Sequence, residues 1–382
     1  MPFMNNLSLS LLKSIVFLFH FMSHEPCTLI IIIIRYMSMG SQVYGYDLRK
    51  ATSPIIRYID IDLTTSLQNK DEINQICFER RRGHVSQIQN GSSNMVTRLA
   101  TADDAGEIRI TTVSSNAQQQ QEVSDTENKK KKSRMILLSH RDYQNQSIPP
   151  LVTCMEYRPR VKEGAELLVS GATDCTIRLW DIHKPSKPIS TFHISRDEDE
   201  RSIRQMCNPP MVHSLSWSSS GTLLACGLGD GSTLVLSAEG RKLYESYRIR
   251  ESHTGAVATV LFPSFAMSNP SLPIQAADRL LVSAGNDGNI FLWDLGVDVA
   301  GEKALDPCHM FRPGFIRQPE STTVDLSNLQ LSASTPNVLL GISHQHKPNC
   351  LVSNNTSDAV MPGSLFVADT TNDITIYSFP VI

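Results

Sequence analysis

Serine, histidine and aspartate, which together can activate a nucleophile, occur twice in this chain at one spacing. One set is His253, Ser283 and Asp287, followed by Trp293; the other is His140, Ser170 and Asp174, followed by Trp180. In both, the histidine precedes the tryptophan by 40 positions, the serine by 10 and the aspartate by 6. In a hydrolase such a trio passes the serine proton to an imidazole that a carboxylate orients. Two features argue against that chemistry here. A nucleophile is needed once, yet the set is repeated, and no G-x-S-x-G turn is present to expose the serine. The sets are expected instead to satisfy buried polar groups and to fix a turn between strands. No catalytic residue is therefore expected. A P-loop, G-x-G-x-x-G, H-E-x-x-H or kinase signature is also absent. The eight cysteines form no C-x-x-C pair, so neither a metal nor a cofactor is expected. Most sit in strand-like text, such as Cys77 in INQICF and Cys226 in LLACGLGD. They read as small core residues, which suits a reducing compartment and an expected location in the cytoplasm, the nucleus or both.

The elements that must carry these residues are legible as internal repeats. Residues 167–182, LLVSGATDCTIRLWDI, and 280–295, LLVSAGNDGNIFLWDL, are near copies. Each reads as an apolar strand, a tight turn at Asp174-Cys175 or Asp287-Gly288, and a second strand ending in Trp-Asp. Asp, Asn and Gly tolerate the left-handed backbone that such turns need. Ile177, Leu179, Ile290 and Leu292 recur with the period of two expected of strands. Weaker copies lie at 99–113, 223–237 and 365–379, and residues 42–49, QVYGYDLR, read as the end of one more. In these copies Leu236 replaces the tryptophan and Cys226 the serine, while Tyr377 and Thr371 take the tryptophan and aspartate positions of the last.

Taking Tyr46, Thr111, Trp180, Leu236, Trp293 and Tyr377 as equivalent, the steps are 65, 69, 56, 57 and 84 residues. Repeats of this type run to about 40–45 residues, so the excess is loop. The loops are a low-complexity insert at 114–134, with Gln118–Gln121 and Lys129–Lys132, and long loops at 195–210 and 297–336. The 382-residue chain has a net charge of −3, 41% hydrophobic and 19% charged residues, which supports a buried core and gives no general argument for nucleic acid. Its start is anomalous. Residues 7–22 and 27–37 are strongly apolar, but each run is shorter than the ~18 residues a spanning helix needs. Residues 1–40 are therefore expected to lie outside a domain that covers 41–382.

At the two Trp-Asp repeats, and at EINQICF (72–78), MVHSLSW (211–217) and HKPNCLVS (346–353), the chain resembles the WD40 family. The resemblance implies an all-β WD40 β-propeller of a seven-bladed family, here with five complete blades and part of a sixth. It implies that His, Ser, Asp and Trp hydrogen-bond within a blade. It also implies a protein-interaction scaffold whose partners are other proteins, with no small-molecule substrate. Some WD40 proteins are substrate receptors of cullin 4 ubiquitin ligases and dock on the ligase adaptor through Trp-Asp-x-Arg. Here His183 and Gly296 stand at the arginine position, and Tyr46-Asp47-Leu48-Arg49 alone retains the arginine. Tyr46, Asp47 and Arg49 are thus the expected docking residues. Lys129, Lys130, Lys131 and Lys132, with Arg134, form a basic run of the kind that serves nuclear import. The alternatives are a membrane-anchored propeller adaptor, held through residues 7–37, and a propeller enzyme.

Overall fold

The computed structural model describes residues 15–21, 31–39, 42–47, 55–60, 73–79, 96–114, 136–140, 149–159, 166–195, 208–263, 278–296, 314–316, 337–353, 364–371 and 373–378. All regular structure among them is β-strand, as expected for an all-β chain. The chain divides into two units, Met1–Tyr157 and Arg158–Ile382.

The first unit holds two antiparallel four-stranded sheets. One is β1 (Ile15–Phe21), β2 (Ile31–Met39), β3 (Gln42–Asp47) and β4 (Ile55–Asp60), paired in that order. Of residues 1–40, expected to lie outside the domain, 15–21 and 31–39 are described. β1 runs from Ile15 opposite Met37 to Phe21 opposite Ile31, and β2 continues onto β3. Of the stretch at 42–49, residues 42–47 are thus one strand of a four-stranded sheet. The β-branched run Ile30–Ile34 has high strand propensity but no polar alternation, so its text alone does not mark a sheet face. The other sheet is β5 (Ile73–Phe78), β6 (Val96–Asp103), β7 (Glu107–Ser114) and β8 (Ile136–Ser139). The unit ends on β9 (Val152–Tyr157).

In the second unit β10 (Leu167–Ala172), β11 (Thr176–Asp181) and β12 (Ser190–His193) pair in order. They are followed by β13 (Val212–Trp217), β14 (Leu223–Leu228), β15 (Thr233–Glu239) and β16 (Lys242–Ile249) in one sheet. The next sheet contains β17 (Val257–Leu261), β18 (Leu280–Gly285), β19 (Asn289–Asp294), β20 (Gly314–Ile316) and β21 (Asn337–Ser343). Its order is β17-β18-β19-β21-β20, with β20 parallel to β21. A short strand therefore lies inside the 297–336 segment that reads as loop. The last sheet is β22 (Pro348–Ser353), β23 (Ser364–Asp369) and β24 (Ile374–Ser378).

The second strand of each repeat is buried along its whole length in β10, β14 and β18. A strand covered on both faces reads as a continuous apolar run, which is why LLVSGA, LLACGL and LLVSAG look alike. Leu281 and Trp293 pack with Val235, Val257 and Val260, so the core passes from one sheet to the next. Backbone bonds from serines on β13 extend the same join. Ser214 and Ser216 Oγ accept the N–H groups of Val260 and Phe262 at 3.1 and 3.2 Å. Arg158 adds a further tie: its guanidinium donates to the carbonyls of Gly221, Gly240 and Ala238 at 2.7–3.1 Å and lies over the Trp217 ring, 5.2 Å from its centroid.

One turn geometry recurs from repeat to repeat. The hairpin turn residue has positive φ at Gly106, Cys175, Gly231 and Gly288, with values of 76°, 60°, 87° and 78°. The carbonyl of each then accepts a backbone N–H from further along the chain: His140, Ile194, His253 and His344 respectively, at 2.7–3.0 Å. The close approach helps select glycine. A Cβ on Gly288 would sit 2.8 Å from the His344 carbonyl oxygen.

Candidate functional site

The turn-to-histidine bond delivers His253 onto the hairpin of β18 and β19. Its Nε2 lies 2.8 Å from Ser283 Oγ and its Nδ1 lies 3.1 Å from Asp287 Oδ1. The indole N–H of Trp293 donates to the same Ser283 Oγ at 2.8 Å. Asp287 also accepts the backbone N–H groups of Asn289 (3.1 Å) and Thr254 (2.9 Å). Burial pushes the Asp287 carboxyl up, but the hydrogen bond and charge of His253 and these two N–H groups outweigh it and hold the pKa at about 2. All four predicted residues of this set are thus brought together. Gly285 makes room for them, because a Cβ there would collide with the His253 ring.

The arrangement resembles a catalytic triad in composition and not in access. Ser283 is fully buried and His253 is 2% exposed, so no substrate reaches the hydroxyl. Ser283 Oγ is also occupied by the Trp293 indole, whereas a nucleophile needs a lone pair facing its target. What the set can do is lock four strand and turn segments in one register.

In the other predicted set, the Trp180 indole N–H likewise donates to Ser170 Oγ at 2.8 Å. Asp174 holds its turn through the N–H and hydroxyl of Thr176 (3.0 and 2.7 Å) and faces the Arg178 guanidinium at 3.4 Å. His140 belongs to the first unit, where it is fully buried with its N–H on the Gly106 carbonyl.

Two further sets were not legible in the sequence. In the last sheet Leu365 pairs with Tyr377, as Leu281 pairs with Trp293. By that register Val367 stands where Ser283 does, Asp369 where Gly285 does and Thr371 where Asp287 does. The network is rewired accordingly. His344 Nδ1 bonds the Tyr377 hydroxyl directly and its Nε2 bonds Asp369 Oδ2, both at 2.8 Å. Thr371 donates to Asp369 from its N–H and its hydroxyl, both at 2.6 Å. Burial raises the Asp369 carboxyl, but these donors from Thr371, with His344, bring it below the ordinary range. A tyrosine hydroxyl reaches further than an indole N–H, so the serine is dispensable.

In the sheet of β5–β8 the same face carries ions. Leu99 pairs with Thr111 and Thr101 with Arg109, so Asp103 again takes the Gly285 position. Arg109 is 1% exposed, with Nη2 2.7 Å from Glu107 Oε2 and Nη1 3.3 Å from Asp103 Oδ2. Asp103 Oδ1 accepts the N–H of Glu107 at 2.9 Å. Burial raises the Asp103 carboxyl, outweighing that bond and the Arg109 charge.

The predicted docking residues are only partly placed. Tyr46 and Asp47 lie in β3, opposite Arg35 and Ile34. Arg49 lies outside the described residues, as do Lys129, Lys130, Lys131, Lys132 and Arg134. At the two equivalent Trp-Asp sequences the aspartate caps the chain two residues on: Asp181 accepts the His183 N–H and Asp294 the Gly296 N–H, both at 3.0 Å. The His183 ring then faces Glu166 at 3.3 Å. Among the described residues no group of three His, Cys, Asp or Glu side chains is placed to hold a metal, and no helix is long and apolar enough to cross a membrane.

Residues 148–181 and 202–236 match the WD40 family, described as WD domain, G-beta repeat. The chain is 22% identical over 357 residues to the WD repeat-containing protein 53 homolog of Dictyostelium discoideum, covering 90% of this chain and 76% of that protein. Among solved structures it is similar to Chaetomium thermophilum Sqt1 bound to the N-terminus of the ribosomal protein L10, with 14% identity and a TM-score of 0.51 over 93% of this chain and 70% of that one. It is also similar to a chain of Chaetomium thermophilum Polycomb Repressive Complex 2 bound to GSK126, with 12% identity and a TM-score of 0.52 over 96% of this chain and 72% of that one. The two matched repeats, these likenesses in fold and the turn-to-histidine bonds that recur along the chain show an all-β fold of the β-propeller class that contains WD40 repeats.

Proposed function

We propose that this chain is a protein-interaction scaffold and not an enzyme. The observation that carries this reading is the closed state of the trio His253, Ser283 and Asp287. Ser283 is fully buried and accepts the Trp293 indole N–H, so the His253–Ser283–Asp287 set is used up in holding its hairpin. A fold of packed sheets presents faces and edges that suit the grasping of peptides and domains. Two of the similar structures, Sqt1 bound to the N-terminus of the ribosomal protein L10 and a chain of Polycomb Repressive Complex 2, belong to assemblies with other proteins or a protein segment, which agrees with that use.

The finer reading is a substrate receptor for a cullin 4 ubiquitin ligase, docking on the ligase adaptor through Tyr46, Asp47 and Arg49. Its support is the Tyr-Asp-Leu-Arg sequence at 46–49, which keeps the terminal arginine that His183 and Gly296 have replaced elsewhere. With it goes action in the cytoplasm or nucleus, the basic run at 129–134 serving import. Affinity purification of the tagged full chain, followed by mass spectrometry, tests both levels. The receptor reading expects cullin 4 and its adaptor, lost on Arg49→Ala. Stable partners without any ligase component would leave the scaffold and remove the receptor; no specific partner at all would remove both.

A further inference from the structure

We propose that two neighbouring turns of the second unit, 182–189 and 239–242, together form a basic docking surface for an acidic segment of a partner protein. The first joins β11 to β12 and the second joins β15 to β16. Arg241 ties them side by side: its guanidinium reaches Asp181 Oδ2 at 3.1 Å while the side chain stays 53% exposed. His183, Lys184, Ser186 and Lys187 on one turn, and Arg241 and Lys242 on the other, are all exposed. Lys184, Lys187 and Lys242 take part in no ion pair among the described residues.

The carboxylates nearby do not cancel this charge at the surface. Asp181 is buried and also accepts the His183 N–H at 3.0 Å. Glu166 faces the His183 ring at 3.3 Å, and buried Asp278 accepts the Ser219 hydroxyl at 3.1 Å. Glu239 is the one exposed acid on the two turns. Arg158 adds a further cation beside them, since its guanidinium donates to the carbonyls of Gly221, Ala238 and Gly240 and to no carboxylate. Among the described residues nothing lies within 4 Å of where a Cβ on Gly240 would stand, so the approach is open. Successive turns of an antiparallel meander fall at opposite ends of the sheet. The turns at the other end of these two sheets carry Asp174 and Asp230 instead, so charge is segregated by sheet end.

A short acidic peptide segment fits this surface better than a long polyanion. The chain as a whole has a net charge of −3, which repels nucleic acid and anionic membranes at long range. A short segment responds to the local field, within the screening length of about 8 Å at physiological salt. Glu239 would repel a continuous run of phosphates, whereas a peptide can place a neutral residue opposite it. The exposed Ser186 hydroxyl can donate to a carboxylate that the lysines attract. This inference rests on the scaffold reading and says where one kind of partner sits.

Fluorescence anisotropy tests it, with a labelled peptide of alternating Glu and Ser titrated with the full-length chain. The expected result is saturable binding that weakens as salt rises, and by about fivefold or more in Lys187→Glu. Lys347→Glu, at an exposed lysine before β22, changes the net charge equally and should leave binding unaltered. Carbodiimide coupling of the peptide to the wild-type chain is a second readout that needs no variant: its carboxylates should join to Lys184, Lys187 or Lys242. The proposal is overturned by absence of saturable binding, by equal loss in both variants, or by coupling at other lysines alone. Tighter binding of single-stranded DNA or phosphatidylserine vesicles at the same lysines would also overturn it. Peptide binding that fails while affinity purification still recovers partners removes this surface and leaves the scaffold. Failure of the scaffold reading shows separately, as the loss of every partner in that purification.

Discussion

At the scale of the residue, one task is met by different chemistry in different sheets. Around β18 and β19 a histidine, a serine and a tryptophan share one hydroxyl; around β23 and β24 a tyrosine hydroxyl meets His344 directly; on β6 and β7 Arg109 is held by two carboxylates. Tyr377→Phe removes one buried hydroxyl and leaves His344 Nδ1 without that bond. The expected loss is about 1–2 kcal/mol of stability, read as a shift of the denaturation midpoint with unchanged slope. The set of Ser283 was legible because its spacing recurs at Ser170. Those of His344 and Arg109 were not, since both move the acid two residues earlier, to Asp369 and Asp103. A fixed spacing therefore finds only the copies that keep the serine. His344 was hidden further by the long segment that separates it from the Gly288 turn it bonds.

At the scale of the element, the hairpins of the second and third strands were the most readable part. LLVSGATDCTIRLWDI and LLVSAGNDGNIFLWDL state both strands and the turn, because a doubly buried strand must be apolar throughout and the turn must reach positive φ. Strands that lack this constraint were less readable. β1 and β2 carry an apolar run with no alternation, and β20 is three residues within a long connection. Connections between sheets depend on side chains whose partners are far apart in sequence. Arg158 is the clearest case, since Gly221, Ala238 and Gly240 lie 63–82 residues away. Arg158→Ala should loosen the β13–β16 sheet, with faster hydrogen exchange at Gly221–Leu223 and Ala238–Lys242 and little change in β23. Uniform exchange between variant and wild type would show that the guanidinium adds nothing to that sheet.

At the scale of the whole molecule, the class of fold was legible and the partner was not. Repeats announce themselves because each must solve the same burial problem, whereas a binding surface is free of that constraint and leaves no period in the text. The scaffold reading therefore stands on what the chain's polar sets are shown to do, and Asp287 is the side chain on which it can be tested. Its carboxyl is held at about 2, below the ~3.9 of an unfolded chain. The resulting stability is fully present above about pH 4 and is lost as pH falls through about 2. The most direct measurement is the melting curve of the Asp287→Ala chain at neutral pH. The account predicts a lower transition, by about 1–3 kcal/mol, and a gap from the wild type that closes in acid between about pH 4 and 2. A transition unchanged from the wild type at neutral pH would contradict it, because a set that holds no structure would be free for chemistry.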